Sequence, residues 1–132
     1  MTRELRQAVQ IYSAGDAAMD VQVVIDGTPT RILYRCDWQP SGSSYRQCVR
    51  AASTNLATQP SASTGQLVVD RVLNGTSAAP SDPGVFTFSP NSTTPTYVEA
   101  KVVLPAKGRS SAGYSHSFVL DDGFYLRNLG SQ

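Results

Sequence analysis

The residues best placed to do chemistry are Cys36 and Cys48, the only two cysteines, set symmetrically about Gly42 in the stretch RILYRCDWQPSGSSYRQCVRAAS from Arg31 to Ser53. Two apolar-bearing runs, Ile32 to Trp38 and Tyr45 to Ala52, flank the turn-rich segment Gln39-Pro40-Ser41-Gly42-Ser43-Ser44. Pro and Gly permit a reversal there, and Ile, Leu, Tyr, Trp and Val favour a pleated surface, so the stretch predicts a hairpin. Pairing about Gly42 sets the two thiols opposite each other, within disulfide reach for cross-strand neighbours on one face. A bridge closing so short a loop is worth about 3 kcal/mol in the chain-entropy description. The alternative is a pair of buried free thiols in a reducing compartment. The same pairing sets Trp38 opposite Arg46 and Tyr34 opposite Arg50, and an arginine over an aromatic face contributes about 0.5–1 kcal/mol at exposed sites. Those four residues also match an aromatic-basic surface for nucleic acid, but cross-strand pairing already accounts for each of them. Leu33, Val49 and Ala51 make the opposite face apolar too. A one-residue slip exchanges the faces, so either qualifies as the buried one.

Little else in the chain could react. His116 is the single histidine, in a run that places it with Phe118 and Leu120. A metal centre or nucleophilic triad needs partners at a defined spacing, and none accompanies His116. The cysteines form neither a redox CxxC nor a zinc pattern, and the glycines lie scattered in turns rather than in a phosphate loop. Asp121-Asp122-Gly123 reads as a turn with Gly123 at positive φ; calcium ligation by the two carboxylates is the sharper alternative. Asn74-Gly75-Thr76 and Asn91-Ser92-Thr93 match the N-glycosylation pattern, which is frequent by accident in a Ser/Thr-rich chain. The reading is therefore non-enzymatic, with no cofactor and no metal.

The elements that must position these residues follow from patterning. At 132 residues, 40% hydrophobic and 16% charged, the chain has the size of one domain, 1–132, with a real core. A formal net charge of +1, with acids and bases mixed, gives no electrostatic case for nucleic acid or an anionic membrane. The scarcity of lysine and wealth of Ser and Thr suit an exported β-rich domain. Thr2 to Tyr12 predicts an amphipathic helix whose packing face is Leu5, Ala8, Val9 and Tyr12, stopped by Ser13-Ala14-Gly15. Residues 1–14 would be this helix and 20–129 a β-rich head. Strands are predicted over Val21 to Ile25, the two hairpin runs, Gln66 to Leu73, Val85 to Phe88, Thr96 to Leu104, Ser115 to Leu120 and Phe124 to Leu129. Asp26-Gly27 signals a hairpin, although Pro29 argues for a slightly longer connection. Thr54 to Gly65, Thr76 to Gly84 and Pro105 to Tyr114 read as loops. The expected class is α+β, an N-terminal amphipathic helix packed on an antiparallel sheet, with a disulfide-bridged hairpin.

Three segments together carry a family likeness: the opening RELRQAV ahead of a meander, the LVVDRVLNG strand leading through a Pro-rich loop into VFTF, and the ending DDGFYLRN. With them the chain resembles the pilin and pseudopilin superfamily, above all minor subunits of type IV pili, competence pili and type II secretion machines. The resemblance implies a long N-terminal helix that anchors in the inner membrane and then forms the fibre core, its second half packed on a disulfide-bearing sheet. It implies the head of a structural subunit that assembles into or primes an extracellular filament, with other pilin or pseudopilin subunits as partners; nucleic acid as a partner is allowed but not indicated. The family's cleavage site, the apolar segment after it and its acidic residue are absent, so Met1 would fall near the amphipathic half of the helix. The competing class is a secreted β-rich binding or adhesion module that recognises a ligand through its loops.

Overall fold

Alternating apolar and polar side chains run through most of the chain, and the backbone answers them with strands. The computed structural model describes residues 5, 7–43, 45–75, 84–105 and 117–126. In order these form β1 (Gln10–Ala14), β2 (Ala18–Ile25), β3 (Thr28–Trp38), β4 (Arg46–Ser53), a short 3₁₀ turn (Ala62–Thr64), β5 (Gln66–Val72), β6 (Phe86–Ser89), β7 (Tyr97–Pro105) and β8 (Ser117–Tyr125). The first five strands make one antiparallel sheet in chain order, and the last three make a second, ordered β6-β7-β8. Among the described residues no helix is long and apolar enough to cross a membrane.

One apolar core lies between the two sheets. Met19, Val21 and Val23 of β2 and Ile32, Tyr34 and Cys36 of β3 meet Phe86, Val98, Ala100 and Val102 of the smaller sheet. Burying one face of each sheet against the other is the stable solution for two sheets that are each apolar on one side. The outer face of the large sheet carries a satellite cluster of Leu33, Val49, Ala62 and Trp38, under the loop that precedes β5. Both faces of the Cys hairpin are thus partly buried, as its sequence allows, with the cysteines on the core side.

The fold is all-β, not α+β. The predicted helix over Thr2 to Tyr12 is replaced: Val9 N–H donates to the Gln22 carbonyl at 2.8 Å, and Gln10–Ala14 pairs with β2 as an edge strand. Leu5 and Ala8 are fully buried in the core, where Ala8 N–H turns back to the Leu5 carbonyl at 3.1 Å. Val9, Ile11 and Tyr12 are β-branched or aromatic and suit a strand, and the free edge of β2 supplies hydrogen bonds that a helix stripe would leave unused. Ile11 packs on the core while Tyr12 turns to the outer face, so the four residues expected on one helix face do not share a face. Of the segment itself, residues 1–4 and 6, with Arg3, Glu4 and Arg6, lie outside the described residues.

Two further expectations are corrected by pairing. Asp121-Asp122-Gly123 is no turn: these residues run inside β8 opposite Lys101, Ala100 and Glu99. Asp121 gains an opposite charge across the ladder, and charged residues on an edge strand discourage stray pairing. Gly123 does not take positive φ; a Cβ there would strike the Tyr97 hydroxyl, so it is the Tyr97 ring that needs the glycine. At the first hairpin Asp26 and Gly27 both have positive φ (49° and 79°), a two-residue turn that closes Ile25 onto Thr28. Pro29 then faces Val24 at the next position, where an alternating ladder asks for no N–H, so no longer connection is required.

Candidate functional site

Cys36 and Cys48 are joined by a disulfide and fully buried. Strand register follows the symmetry about Gly42 from Arg31↔Ser53 to Arg35↔Val49, with Tyr34 opposite Arg50, and then slips, pairing Trp38 with Gln47 rather than Arg46. A bulge there moves Trp38 to the outer face, against Leu33, Val49 and Ala62. The arginine near its ring is Arg35, 5.6 Å from the centroid, which also pairs with Asp37 in an exposed and therefore weak ion pair. The disulfide is buried in the core between the sheets.

The most buried charge is on the outer face. Asp20 (1% exposed) accepts from Arg31 Nε at 3.0 Å and Nη2 at 2.7 Å, and from Gln59 Nε2 at 2.9 Å. Arg31 Nη1 donates to the Leu56 carbonyl at 3.0 Å, and its guanidinium carbon stands 4.0 Å from the Tyr12 ring centroid, while the Tyr12 hydroxyl donates to Gln22 Oε1 at 2.9 Å. The hydrogen bond to Asp20 is the largest cause that raises the Arg31 pKa above its usual value. No buried side-chain polar atom in this cluster lacks a hydrogen-bond partner, and the cluster ties the 54–65 loop to β2 and β3.

Among the described residues no group of three His, Cys, Asp or Glu side chains could hold a metal ion. Asp121 and Asp122, the calcium candidates, sit on successive positions of a strand and point to opposite faces. His116 lies outside the described residues, as do most of the Thr76 to Gly84 loop and nearly all of the Pro105 to Tyr114 loop. A shallow recess of about 280 Å³ opens beside β6, lined by Asp16, Gly84, Phe86, Thr87, Phe88 and Ser92, without convergent charges.

The feature that calls for a function is an exposed strip at β5. Among the described residues six large apolar side chains are exposed; Tyr45, Leu67 (55%), Val68 and Leu73 lie on or beside β5, while Val24 and Tyr125 stand elsewhere. β5 is the last strand of its sheet, so it pairs with β4 on one side only within that sheet. Its register slips twice, between Arg46↔Val72 and Cys48↔Val69 and again before Val49↔Leu67, each time with an extra β5 residue. Bulges of this kind re-aim side chains and bend an edge. At the first, Arg71 takes φ 58° and lays its guanidinium 4.4 Å from the Tyr45 ring centroid. Gln47 Nε2 donates to Asp70 Oδ1 at 3.0 Å beside it. By register Tyr45 and Leu73 lie just past the Arg46↔Val72 pair and Leu67 lies toward the other end of β5, so exposed aromatic and aliphatic side chains are spread along this edge, the make-up of a protein contact surface.

Sequence reasoning missed this strip. Leu67-Val68-Val69 is a continuous apolar run, which reads as a strand buried on both faces; at the edge of the sheet Leu67 and Val68 are exposed while Val69 packs on the core. The signal present was Asp70-Arg71 interrupting the run. No protein-family model matches this chain, and neither a curated protein nor a solved structure does.

Proposed function

We propose that this protein is a non-enzymatic, extracytoplasmic β-sandwich module that works by binding another protein through the Tyr45, Leu67, Val68 and Leu73 strip. The observation that carries the reading is that four of the six large apolar side chains exposed among the described residues lie on or beside one edge strand. Tyr and Arg are the residue types that dominate interface energetics, and Tyr45 is held in place by Arg71 rather than left to rotate. The buried disulfide supports a non-reducing compartment. A near-neutral formal charge supports a protein partner over nucleic acid.

A photo-activated cross-linking residue at position 67, with a control at position 24, which is also exposed but lies away from β5, tests this in the producing cells. The expected result is a discrete protein adduct at 67, absent at 24 and lost when Val68→Asp is added. Equal adducts at both positions, or none at 67, would overturn it.

Assembly into a filament is the second reading. It loses the helix-on-sheet packing it relied on, and what favours it is narrower: Leu5 and Ala8, both fully buried, pin the segment before β1 to the core, so a pull from upstream would load the sandwich directly. The same adduct decides between them. A copy of this chain or another filament subunit at position 67 supports assembly, and an unrelated protein supports a binding module.

A further inference from the structure

Asn74-Gly75-Thr76 and Asn91-Ser92-Thr93 share the spacing of an N-glycan acceptor, but the fold treats them in opposite ways. Asn74 is 3% exposed. Its Nδ2 donates to the carbonyls of Lys101 at 2.7 Å and Gly84 at 3.4 Å, and its Oδ1 accepts from Val103 N–H at 2.9 Å. The nitrogen that would carry a sugar is therefore committed to backbone between the sheets. Asn91 instead lies in the β6–β7 connection, in a run from Ser89 to Thr94 that is exposed at every position. Its Oδ1 accepts from the N–H groups of Thr93 at 2.9 Å and Thr94 at 2.8 Å and from the Thr94 hydroxyl at 3.3 Å. These bonds engage only the carboxamide oxygen. Nδ2 itself makes no hydrogen bond among the described residues.

We propose that Asn91 is an N-glycan acceptor when this protein passes through a glycosylating secretory compartment, and that Asn74 is not. In the transfer, Asn91 Nδ2 attacks the anomeric carbon of an oligosaccharide carried on a polyprenyl diphosphate. The C–N bond forms as the C–O bond to the diphosphate breaks; the diphosphate leaves with the electron pair, and the amide proton passes to a base of the host transferase. Transfer that precedes folding is sorted afterwards by the fold. A glycan on Asn74 blocks the junction of β5 with β7, whereas one on Asn91 stands free. Ser89 pairs with Tyr97, and Leu73 N–H bonds the Val103 carbonyl. At about 3.3 Å per residue, the Tyr97 end of β7, where the Asn91 loop joins, is about 20 Å along the strand from that junction. The inference goes beyond the binding role and does not depend on it.

The test is secretion of the full chain behind a cleavable signal in a eukaryotic host, followed by intact-mass and peptide mapping of the folded, disulfide-bonded product with and without amidase removal of N-glycans. The expected product carries one glycan at Asn91. Asn91→Gln and, separately, Thr93→Ala abolish it, while Thr76→Ala, which destroys the other acceptor pattern without touching the Asn74 side chain, leaves the mass of the glycan unchanged. A glycan on Asn74 in the folded product, or an unmodified Asn91, would overturn the proposal.

Discussion

Arg31 grips Asp20 with two parallel hydrogen bonds, Nε to Oδ1 and Nη2 to Oδ2, beneath a loop whose own Leu56 carbonyl and Gln59 amide hang from the same pair. The pair is nearly out of water, with the Asp20 side chain 1% and the Arg31 side chain 12% exposed. Removing one partner strands the other charge, so Asp20→Ala and Arg31→Ala are each expected to cost about 3–5 kcal/mol in denaturant unfolding. The double replacement should cost clearly less than their sum. The raised Arg31 pKa means that this group's contribution is present below its unfolded value and lost as pH rises through the folded one. The arginine's share should therefore be flat across the neutral range and fail only in strong alkali.

Asn74 acts as a piece of strand made from a side chain, bonding the Lys101 carbonyl and the Val103 N–H of β7, while Arg46 braces the Leu73 and Asn74 carbonyls at 2.7 and 3.2 Å. Asn74→Ala orphans those β7 groups and should cost about 1–3 kcal/mol. Asn74→Asp should be worse, since a carboxylate oxygen then faces the Lys101 carbonyl with no proton to give. Thermal unfolding of the two variants, compared near neutral pH, checks the order.

The disulfide links residues 12 apart in sequence, between neighbouring strands that would pair without it. Replacing both cysteines with alanine should lower stability by about 3 kcal/mol or somewhat more, because two buried side chains are also trimmed. Intact mass before and after reduction, with alkylation only after reduction and unfolding, identifies the bridge. Free alkylation of the native, air-exposed protein would contradict it.

Leu5 and Tyr12, expected to share a helix face, part company in the fold. Leu5 is fully buried between the sheets, and Tyr12 lies half-buried over Arg31. Leu5→Ala should therefore cost about 2–5 kcal/mol, a buried large-to-small change, and more than Tyr12→Ala, the reverse of what fraying of a helix end would predict. Melting temperatures of the two single variants settle the order.

Much of this β-sheet was legible in the chain itself. Asp26-Gly27 signalled the hairpin, since both positions take positive φ, although Pro29 argued for a longer connection than the two-residue turn found. The alternation from Thr96 to Leu104 placed Val98, Ala100 and Val102 inward, as found, because a strand has only two faces. The spacing of Cys36 and Cys48 about Gly42 brought them together, since antiparallel pairing conserves the sum of partner positions until a bulge intervenes. What tertiary structure decided was wherever a local pattern had two solutions. Leu5, Ala8 and Val9 are apolar under either period, and only the free edge of β2 made the next residues a strand. Asp121-Asp122-Gly123 has the chemistry of a turn, but Lys101 and the Tyr97 ring lie across from it. Leu67 and Val68 are exposed, while Val69 packs on the core, because β5 is the last strand of its sheet, a matter of strand order that no window of sequence contains.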